Sequence, residues 1–307
     1  MTAELASILD FIRYGASRFA AAGLTFGHGY DNALDEATQL VLHALHLPHD
    51  LNPVYGQARL VAAEKAAVLA LFERRINERK PACYLTGEAW FAALSFKCDE
   101  RALVPRSPIA ELIEAGFEPW RNGRPLNRVL DLCTGGGCIA IASAHYLPEA
   151  LVDGVDLSDA ALGLAQENAD RLLVADRVRL LKSDLFNELT GETYDLIVTN
   201  PPYVTRAEVE ALPDEYRHEP ESGLIAGEDG LDLALRILRD APNFLNDDGF
   251  LICEVGESER ALVNLFPQVP FIWIEFKVGQ MGIFLLEKVD LLTWHNEFAV
   301  VAKERGL

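Results

Sequence analysis

The sequence predicts an α/β fold, in which a mostly parallel sheet of seven strands carries helices on both faces and follows a small helical domain and a β-hairpin. Two observations support this prediction. Beyond residue 107, amphipathic segments alternate with short apolar segments, several of which are hydrophobic at nearly every position, as is typical of strands covered on both faces. Before residue 84, by contrast, apolar residues recur at helical spacing. The 307 residues suffice for about two domains.

Three amphipathic helices are predicted in the first part of the chain. They span residues 4–22, 31–45 and 62–79. In the first of them Ile8, Ile12 and Phe19 share one face. The third ends before Pro81, whose ring cannot continue a helix. We therefore expect residues 1–83 to form a helical domain that recognises the substrate.

A hairpin is predicted to join this domain to a second one. Residues 84–104 contain short β-rich stretches, and the second domain is expected to span residues 105–307. Ser107 and Pro108 would cap and begin its first helix. Seven strands are predicted in it, at residues 128–132, 151–156, 177–182, 194–199, 249–255, 271–276 and 282–287. Only residues 277–281 separate the last two, so these strands are expected to pair antiparallel at one edge.

Composition and charge exclude several classes of protein. Lys and Arg total 27 against 47 Asp and Glu, and the net charge of −20 repels nucleic-acid phosphate and attracts basic partners. No apolar run is long enough to span a bilayer and no secretory signal is evident, so a cytoplasmic enzyme without membrane contact is expected. The five scattered cysteines fit reduced thiols and, lacking partners at ligand spacing, predict no metal site.

A glycine-rich loop follows the first strand of the second domain. It comprises Asp131, Leu132, Cys133, Thr134, Gly135, Gly136 and Gly137. Gly135 and Gly137 allow a sharp turn against a ligand, and the helix that follows offers unpaired backbone N–H groups. This pattern predicts a nucleotide-type binding loop. A nicotinamide-dependent dehydrogenase, or a merely tight strand-to-helix turn, would show nearly the same glycines.

Acidic residues follow the next two predicted strands. Asp156 lies 19 positions after Gly137, close to the spacing at which an acidic residue accepts the ribose hydroxyls of an adenosine ligand. Asp184 and Leu185 would lie at the same edge of the sheet, where Asp184 could bind the adenine amino group. Each carboxylate could instead serve only as a turn or cap residue.

The motif Asn200, Pro201, Pro202 and Tyr203 directly follows the strand predicted at residues 194–199. The prolines fix φ and lack N–H groups, which leaves the Pro201 carbonyl free as an acceptor. The Asn200 side-chain oxygen and this carbonyl could each accept one N–H of a planar NH₂ group, with the Tyr203 ring packed on its face. Asn-Pro also begins ordinary turns, but its position at the end of a central strand favours the functional interpretation.

Together these motifs resemble the class I S-adenosylmethionine-dependent methyltransferases, and specifically the amino methyltransferases that carry Asn-Pro-Pro-Tyr. The resemblance implies that Asn200, Pro201, Pro202 and Tyr203 hold the acceptor nitrogen. It implies S-adenosylmethionine as cofactor, bound by Asp131, Cys133, Thr134, Gly135, Gly136, Gly137, Asp156, Asp184, Leu185 and Asn200. Gly136 stands where the group often carries Ser, a small change that should preserve cofactor binding.

The resemblance extends over nearly the whole chain to the protein glutamine methyltransferases. One group of these enzymes acts on peptide release factors, and the other acts on the third protein of the large ribosomal subunit. Residues 26–32 and 216–221 are similar to the ribosomal-protein type, whereas the release-factor type usually has Pro-Arg-Pro where this chain has Pro105-Arg106-Ser107. The resemblance therefore implies methylation of a glutamine amide in that ribosomal protein, with release factors as the alternative.

Other functions share some of these motifs. Methylation of an exocyclic amino group in DNA or RNA would use the same acceptors, but the acidic charge and the absence of a basic tract argue against it. An oxidoreductase would leave residues 200–203 without a role. A non-catalytic assembly factor that senses the cofactor is compatible with every motif. His28, Arg217 and His218 could contact substrate or could lie on ordinary loops.

Overall fold

The computed structural model describes residues 4–277 and 282–307. The helices are α1 (Ile8–Ala21), α2 (Ala33–Ala44), α3 (Ala62–Glu78), α4 (Ala82–Thr86), α5 (Ile109–Glu114), α6 (Cys138–Tyr146), α7 (Asp159–Arg171), α8 (Arg206–Ala211), α9 (Asp232–Asp240), α10 (Glu259–Leu265), α11 (Lys288–Thr293) and α12 (His295–Glu304). The strands are β1 (Glu88–Phe91), β2 (Leu94–Lys97), β3 (Arg128–Leu132), β4 (Leu151–Asp156), β5 (Val178–Lys182), β6 (Tyr194–Thr199), β7 (Leu245–Glu254), β8 (Ile272–Trp273) and β9 (Ile283–Glu287).

The first three helices form where apolar spacing predicts them, and side chains cap two of them. Ser7 accepts a hydrogen bond from the Asp10 N–H at the start of α1, and Asn32 caps α2 in the same way. The helices share a buried core, in which α1 approaches α3 closely at Gly15. A Cβ at Gly15 would lie 2.4 Å from Cζ of Phe72, so only glycine admits this packing.

The predicted hairpin consists of β1 and β2, which pair antiparallel from Glu88↔Lys97 to Phe91↔Leu94. It is attached to the second domain through Asn168 of α7. The Asn168 side chain accepts a hydrogen bond from the Lys97 N–H (2.7 Å) and donates to the carbonyls of Lys97 (3.1 Å) and Gly136 (3.0 Å). The hairpin therefore touches the helix that supports the glycine loop. The domain limits at residues 83 and 104 stay a prediction.

The second part of the chain contains a seven-stranded sheet in the order β5-β4-β3-β6-β7-β9-β8. The five strands from β5 to β7 are parallel, and β9 runs antiparallel to both β7 and β8. This confirms the predicted mostly parallel sheet with an antiparallel edge. The chain order reverses between β3 and β6, and in open α/β sheets ligands bind beside such a reversal, at the carboxyl ends of the strands.

Side chains that alternate along the strands build one core on each face of the sheet. Val129 and Leu196 belong to a core that includes Ile141 of α6. The next residue along each of these two strands belongs to the opposite core, which includes Leu235 of α9. Helices therefore cover both faces, as predicted. In the described part of the chain, no helix is both long and apolar enough to span a bilayer.

Several predicted boundaries differ from the structure. The strand expected at residues 249–255 begins earlier, at Leu245. Polar residues interrupt the apolar pattern at its start, and its pairing with β6 shifts register there. The strand expected at residues 271–276 is reduced to Ile272–Trp273, since this edge strand pairs with β9 over two residues only. In the turn expected at residues 277–281, residues 278–281 lie outside the described residues.

The helix expected to begin at Pro108 starts one residue later, at Ile109, with Pro108 as its N-cap. Ser107 Oγ still accepts a hydrogen bond from the Ile109 N–H (3.2 Å). The predicted cap is therefore present as a hydrogen bond, although Pro108 lies outside the helix.

Candidate functional site

A cavity of about 520 Å³ lies at the carboxyl edge of the sheet, where the chain order reverses. Its volume is in the range of sites for small molecules and cofactors. Eleven of the predicted site residues line it, and they are Cys133, Thr134, Gly135, Gly136, Asp156, Asp184, Leu185, Asn200, Pro201, Pro202 and Tyr203. The structure thus brings the glycine loop and the Asn-Pro-Pro-Tyr motif to a single cavity.

The glycine loop turns sharply between β3 and α6. Gly135 and Gly137 have φ values of +55° and +82°, in the left-handed region that favours glycine. A Cβ at Gly137 would lie 2.8 Å from Ile141 Cδ1 and 2.9 Å from Ala165 Cβ. Gly137 therefore does not line the cavity, and it serves the close packing of the loop against two helices.

Asp131 supports the same loop from behind and does not line the cavity. Its carboxylate is fully buried and accepts hydrogen bonds from Thr134 Oγ1 (2.6 Å) and from the Ala140 N–H (3.0 Å). The other carboxylate oxygen has no partner among the described residues, and burial raises the pKa of Asp131 to about 7. The residue expected to contact the cofactor is therefore placed where it shapes the loop.

Asp156, at the end of β4, joins the loop to the next helix. One carboxylate oxygen accepts a hydrogen bond from the Gly135 N–H (2.9 Å), and the other accepts from the Ser158 N–H (2.9 Å). Ser158 in turn caps α7. Because each oxygen has a second lone pair and the side chain faces the cavity, the carboxylate can still accept hydroxyl groups of a ligand.

The end of β5 contributes Asp184 and Leu185. Asp184 is 43% exposed and pairs with Arg236 at 2.9 Å, so one carboxylate oxygen is already occupied. Leu185 is buried and has a φ of +50°, and Cys133 at the end of β3 has a φ of +58°. Left-handed conformations of residues other than glycine are strained and concentrate at functional sites. Here both of them line the cavity.

The Asn-Pro-Pro-Tyr motif leaves β6 at the carboxyl edge. Thr199 Oγ1 donates a hydrogen bond to the Leu132 carbonyl (2.8 Å), which ties the end of β6 to that of β3. Pro201 is buried, and Asn200 is half-buried and lines the cavity. In the part of the chain that the structure describes, no group bonds to the Asn200 side-chain amide. Its oxygen is therefore available to a ligand.

Tyr203 is held by a buried carboxylate that the sequence analysis did not include, Glu254. The Tyr203 hydroxyl donates a hydrogen bond to Glu254 Oε1 (2.9 Å), and Ser107 Oγ donates to Glu254 Oε2 (2.6 Å). Glu254 is 5% exposed, and burial raises its pKa. The signal available in the sequence was its position near the end of the strand predicted at residues 249–255.

Glu219 fastens the segment after the motif to residues 104–107, which follow the hairpin and which we define as the linker. This buried carboxylate accepts two hydrogen bonds from Arg106 (2.5 and 2.9 Å) and one from the Val104 N–H (3.0 Å). His28 lies 3.7 Å from it, and its ring packs against Tyr216 with centroids 4.2 Å apart. His28 is almost fully buried, and this burial lowers its pKa to about 4. It is therefore a packed core histidine that does not line the cavity.

Glu215 fastens the same segment to the N-terminal helices. It is fully buried and accepts hydrogen bonds from the Thr25 N–H (3.0 Å) and from Arg75 (3.4 Å). By contrast, Arg217 is 73% exposed, and a ring nitrogen of His218 lies 3.0 Å from a backbone carbonyl of α3. The chain beyond the acceptor motif is thus attached to the N-terminal domain by carboxylates that the sequence analysis did not single out.

A family model and several known proteins match this chain. The family model of the methyltransferase small domain matches residues 121–213. The chain is 69% identical to a ribosomal protein uL3 glutamine methyltransferase of Xanthomonas campestris pv. campestris, over 98% of both chains. It is 67% identical to a protein of the same name from Xylella fastidiosa, over 98% of this chain and 96% of the relative.

A solved structure shares the fold. The crystal structure of the hMettl16 catalytic domain in complex with MAT2A 3'UTR hairpin 1 matches with a TM-score of 0.51 and 17% identity, over 90% of each chain. At this identity the likeness concerns the fold alone, which is that of a class I methyltransferase. Among residues 4–277 and 282–307, no group of three or more His, Cys, Asp or Glu side chains could hold a metal ion.

Proposed function

The chain belongs to the ribosomal protein uL3 glutamine methyltransferase family, and from this premise we propose that it methylates the side-chain amide nitrogen of a glutamine in uL3, with S-adenosylmethionine as the methyl donor. The observation that carries the proposed chemistry is that the glycine loop and the Asn-Pro-Pro-Tyr motif line one cavity. A ribosomal-protein substrate supports a cytoplasmic location.

The donor half of the cavity, which we define as residues 133–136 with Asp156, Asp184 and Leu185, fits S-adenosylmethionine. In this proposal Asp156 accepts the ribose hydroxyls on its free lone pairs, and buried Leu185 packs against the base. The backbone of the glycine loop lies along the methionine part. When bound, the cofactor supplies an electrophilic methyl group on a sulfonium.

The acceptor half, which we define as residues 200–203, orients the substrate amide. An amide nitrogen is a poor nucleophile because its lone pair is delocalised into the carbonyl. In this proposal the Asn200 side-chain oxygen and the Pro201 carbonyl each accept one amide hydrogen, which directs the lone pair toward the methyl group. The same two oxygens stabilise the positive charge that develops on the nitrogen. Tyr203 packs on the amide plane.

The charge of the chain supports a basic protein as substrate. A net charge of −20 attracts a basic ribosomal protein and repels the phosphates of RNA or DNA. We therefore propose that the acceptor is a protein amide, although an exocyclic amino group would satisfy the same two acceptors.

The test is methyl transfer from tritium-labelled S-adenosylmethionine to uL3, a release factor and ribosomal RNA in parallel, with mass spectrometry of the labelled peptide. We expect label on a uL3 glutamine only. Asn200→Ala should bind the cofactor within about threefold of wild type and lose methyl transfer by roughly 100-fold or more, because one acceptor of the amide is removed.

Asn264→Ala is the matched control, since this exposed asparagine lies on α10 and does not line the cavity. It should methylate uL3 like wild type. Label on RNA or on the release factor instead of uL3 would contradict the proposed substrate, and full activity of Asn200→Ala would contradict the proposed role of that residue.

A further inference from the structure

Glu254 is a buried carboxylate whose position the proposed chemistry does not yet explain. It ends β7, and its neighbour Cys253 pairs with Thr199, so Glu254 lies at the same edge of the sheet as Asn200. Its two oxygens accept hydrogen bonds from Tyr203 and Ser107, which are 51 and 147 positions away in the chain. The carboxylate therefore connects the acceptor motif to the linker that follows the hairpin.

Two further contacts restrict Tyr203, one at its ring and one at its carbonyl oxygen. A Cβ at Gly256 would lie 2.4 Å from Cε2 of the Tyr203 ring, so the ring rests directly on the Gly256 backbone. A Cβ at Gly230 would lie 2.0 Å from the Tyr203 carbonyl oxygen, which accepts a hydrogen bond from Ser258 Oγ (3.2 Å). The hydroxyl end of the ring is the part that these contacts leave free to move, and Glu254 holds it.

A carboxylate is energetically unfavourable at the buried position of Glu254. Removal of a charge from water is unfavourable unless hydrogen bonds compensate for it, and an apolar side chain of similar size would pack at lower cost. Glu254 accepts two such hydrogen bonds, one at each carboxylate oxygen. What the carboxylate adds over an apolar residue is a fixed orientation of the Tyr203 hydroxyl.

We propose that Glu254 is a positioning residue for methyl transfer, which acts through its hydrogen bond to Tyr203 to hold the aromatic wall of the acceptor half in place. The inference rests on the proposed function, because it assigns a role within that reaction. A displacement of about 1 Å at a reacting group can reduce turnover by about 100-fold while binding is retained. Loss of Glu254 should therefore lower kcat more than it alters binding.

The test is a double-mutant cycle of Tyr203→Phe and Glu254→Met, whose side chain of similar length cannot accept the Tyr203 hydrogen bond as a carboxylate does, with kcat and KM measured on uL3 and the cofactor Kd measured by calorimetry. Each single variant is expected to lower kcat by about tenfold or more, with KM and Kd within about threefold of wild type. The double variant should be about as slow as either single variant, because both changes remove the same hydrogen bond.

Tyr194→Phe is the matched control. Tyr194 lies at the opposite end of β6, and its buried hydroxyl donates to a carboxylate oxygen of Asp153 (2.7 Å). This variant also loses a hydrogen bond between a buried tyrosine and a carboxylate, so it should lower Tm and leave kcat unchanged. A purely structural role of Glu254 would give the same result as this control.

Wild-type kcat in a folded Glu254→Met variant, or effects of the two changes that multiply, would overturn the inference and leave the proposed function intact. If Glu254→Met does not fold, Tyr203→Phe decides alone, because it keeps the ring and removes only the hydroxyl; wild-type kcat in that variant overturns the inference. A wild-type protein that binds the cofactor but does not methylate uL3 would overturn the proposed function and the inference with it.

Discussion

The donor and acceptor halves of the cavity are held in place in different ways. In the donor half, two hydrogen bonds of the glycine loop join residues that are close along the chain: Asp131 and Thr134 are 3 positions apart, and Gly135 and Asp156 are 21 positions apart. In the acceptor half, Glu254 lies 51 residues from Tyr203. The glycine loop is therefore held by consecutive strands and their loops, whereas Tyr203 is held by a strand that is distant along the chain.

The difference teaches that the acceptor half is connected to the first part of the chain. Glu215 and Glu219 follow the acceptor motif and bind the N-terminal helices and the linker. Glu254 connects the motif to the same linker through Ser107. Because the acceptor half depends on contacts with the first part of the chain, a change in that part can reach the site of methyl transfer without touching the cofactor.

The largest effect is expected from Gly256→Ala, which disturbs the acceptor half. The new Cβ would lie 2.4 Å from the Tyr203 ring at a backbone φ of +48°, so the ring must move and the backbone is strained. We expect kcat on uL3 to fall by about 100-fold, with cofactor Kd within about threefold. Gly191→Ala is the control, because its φ is +83° and nothing lies within 4 Å of the new Cβ. Equal kcat in both variants would contradict the distinction between the two halves.

The reciprocal change is Gly137→Ala, which disturbs the donor half. Its Cβ would collide with Ile141 and Ala165 at a φ of +82°. We expect the free energy of unfolding to fall by about 3 kcal/mol and cofactor affinity to fall by about tenfold. Chemical denaturation and calorimetry measure these effects. Gly123→Ala, with a φ of +71° and no atom within 4 Å, isolates the backbone strain. Unchanged cofactor affinity would show that the loop tolerates the collision.

Two buried groups should contribute pH dependences of opposite sign to the free energy of unfolding. One supports the donor half, and the other lies beside the segment that follows the acceptor motif. Asp131 supports the donor half, and its pKa is raised by burial from 3.8 to about 7. Between these values the folded state holds a proton that the unfolded state releases, so this contribution to the free energy of unfolding is present at about pH 4 and lost toward pH 7. Asp131→Asn should remove that decline, which urea denaturation between pH 4 and 7 measures.

His28 packs beside the segment that follows the acceptor motif, and burial lowers its pKa from 6.5 to about 4. Here the unfolded state binds the extra proton, so the contribution is present above about pH 6.5 and lost as the pH falls toward 4. Each group changes the slope by at most about 1.4 kcal/mol per pH unit. His28→Phe retains a ring against Tyr216 and should remove the acid-side loss. Parallel slopes for wild type and both variants would rule out these assignments.

The smallest effect is expected from Arg236→Ala in the donor half. The ion pair of Arg236 with Asp184 is partly exposed, and such pairs contribute less than about 1 kcal/mol. We expect the free energy of unfolding to change by less than about 0.5 kcal/mol and the cofactor Kd by less than about threefold. A larger loss of affinity would show that Arg236, 52 positions from Asp184 along the chain, orients Asp184 toward the cofactor.

Most of the fold could be predicted because it depends on patterns within single segments. Strands β3, β4 and β6 have the predicted bounds, since these parallel strands are buried and their apolar residues mark them in the sequence. The edge strand β8 could not be predicted as well, because its length depends on how far its partner β9 pairs with it. The same limit applies to Asp131, whose motif position is evident but whose burial beneath the loop depends on the helix that follows.

By itself, the sequence determined the seven-stranded α/β fold, the glycine loop, the acceptor motif and the resemblance to the glutamine methyltransferases. Each of these depends on patterns of residues that are close together along the chain. Only the tertiary structure decided that Glu254 holds Tyr203 and that Glu219 holds Arg106. The physical reason is that a hydrogen bond needs two groups within about 3 Å, and no spacing along the chain shows which groups more than 50 residues apart will meet.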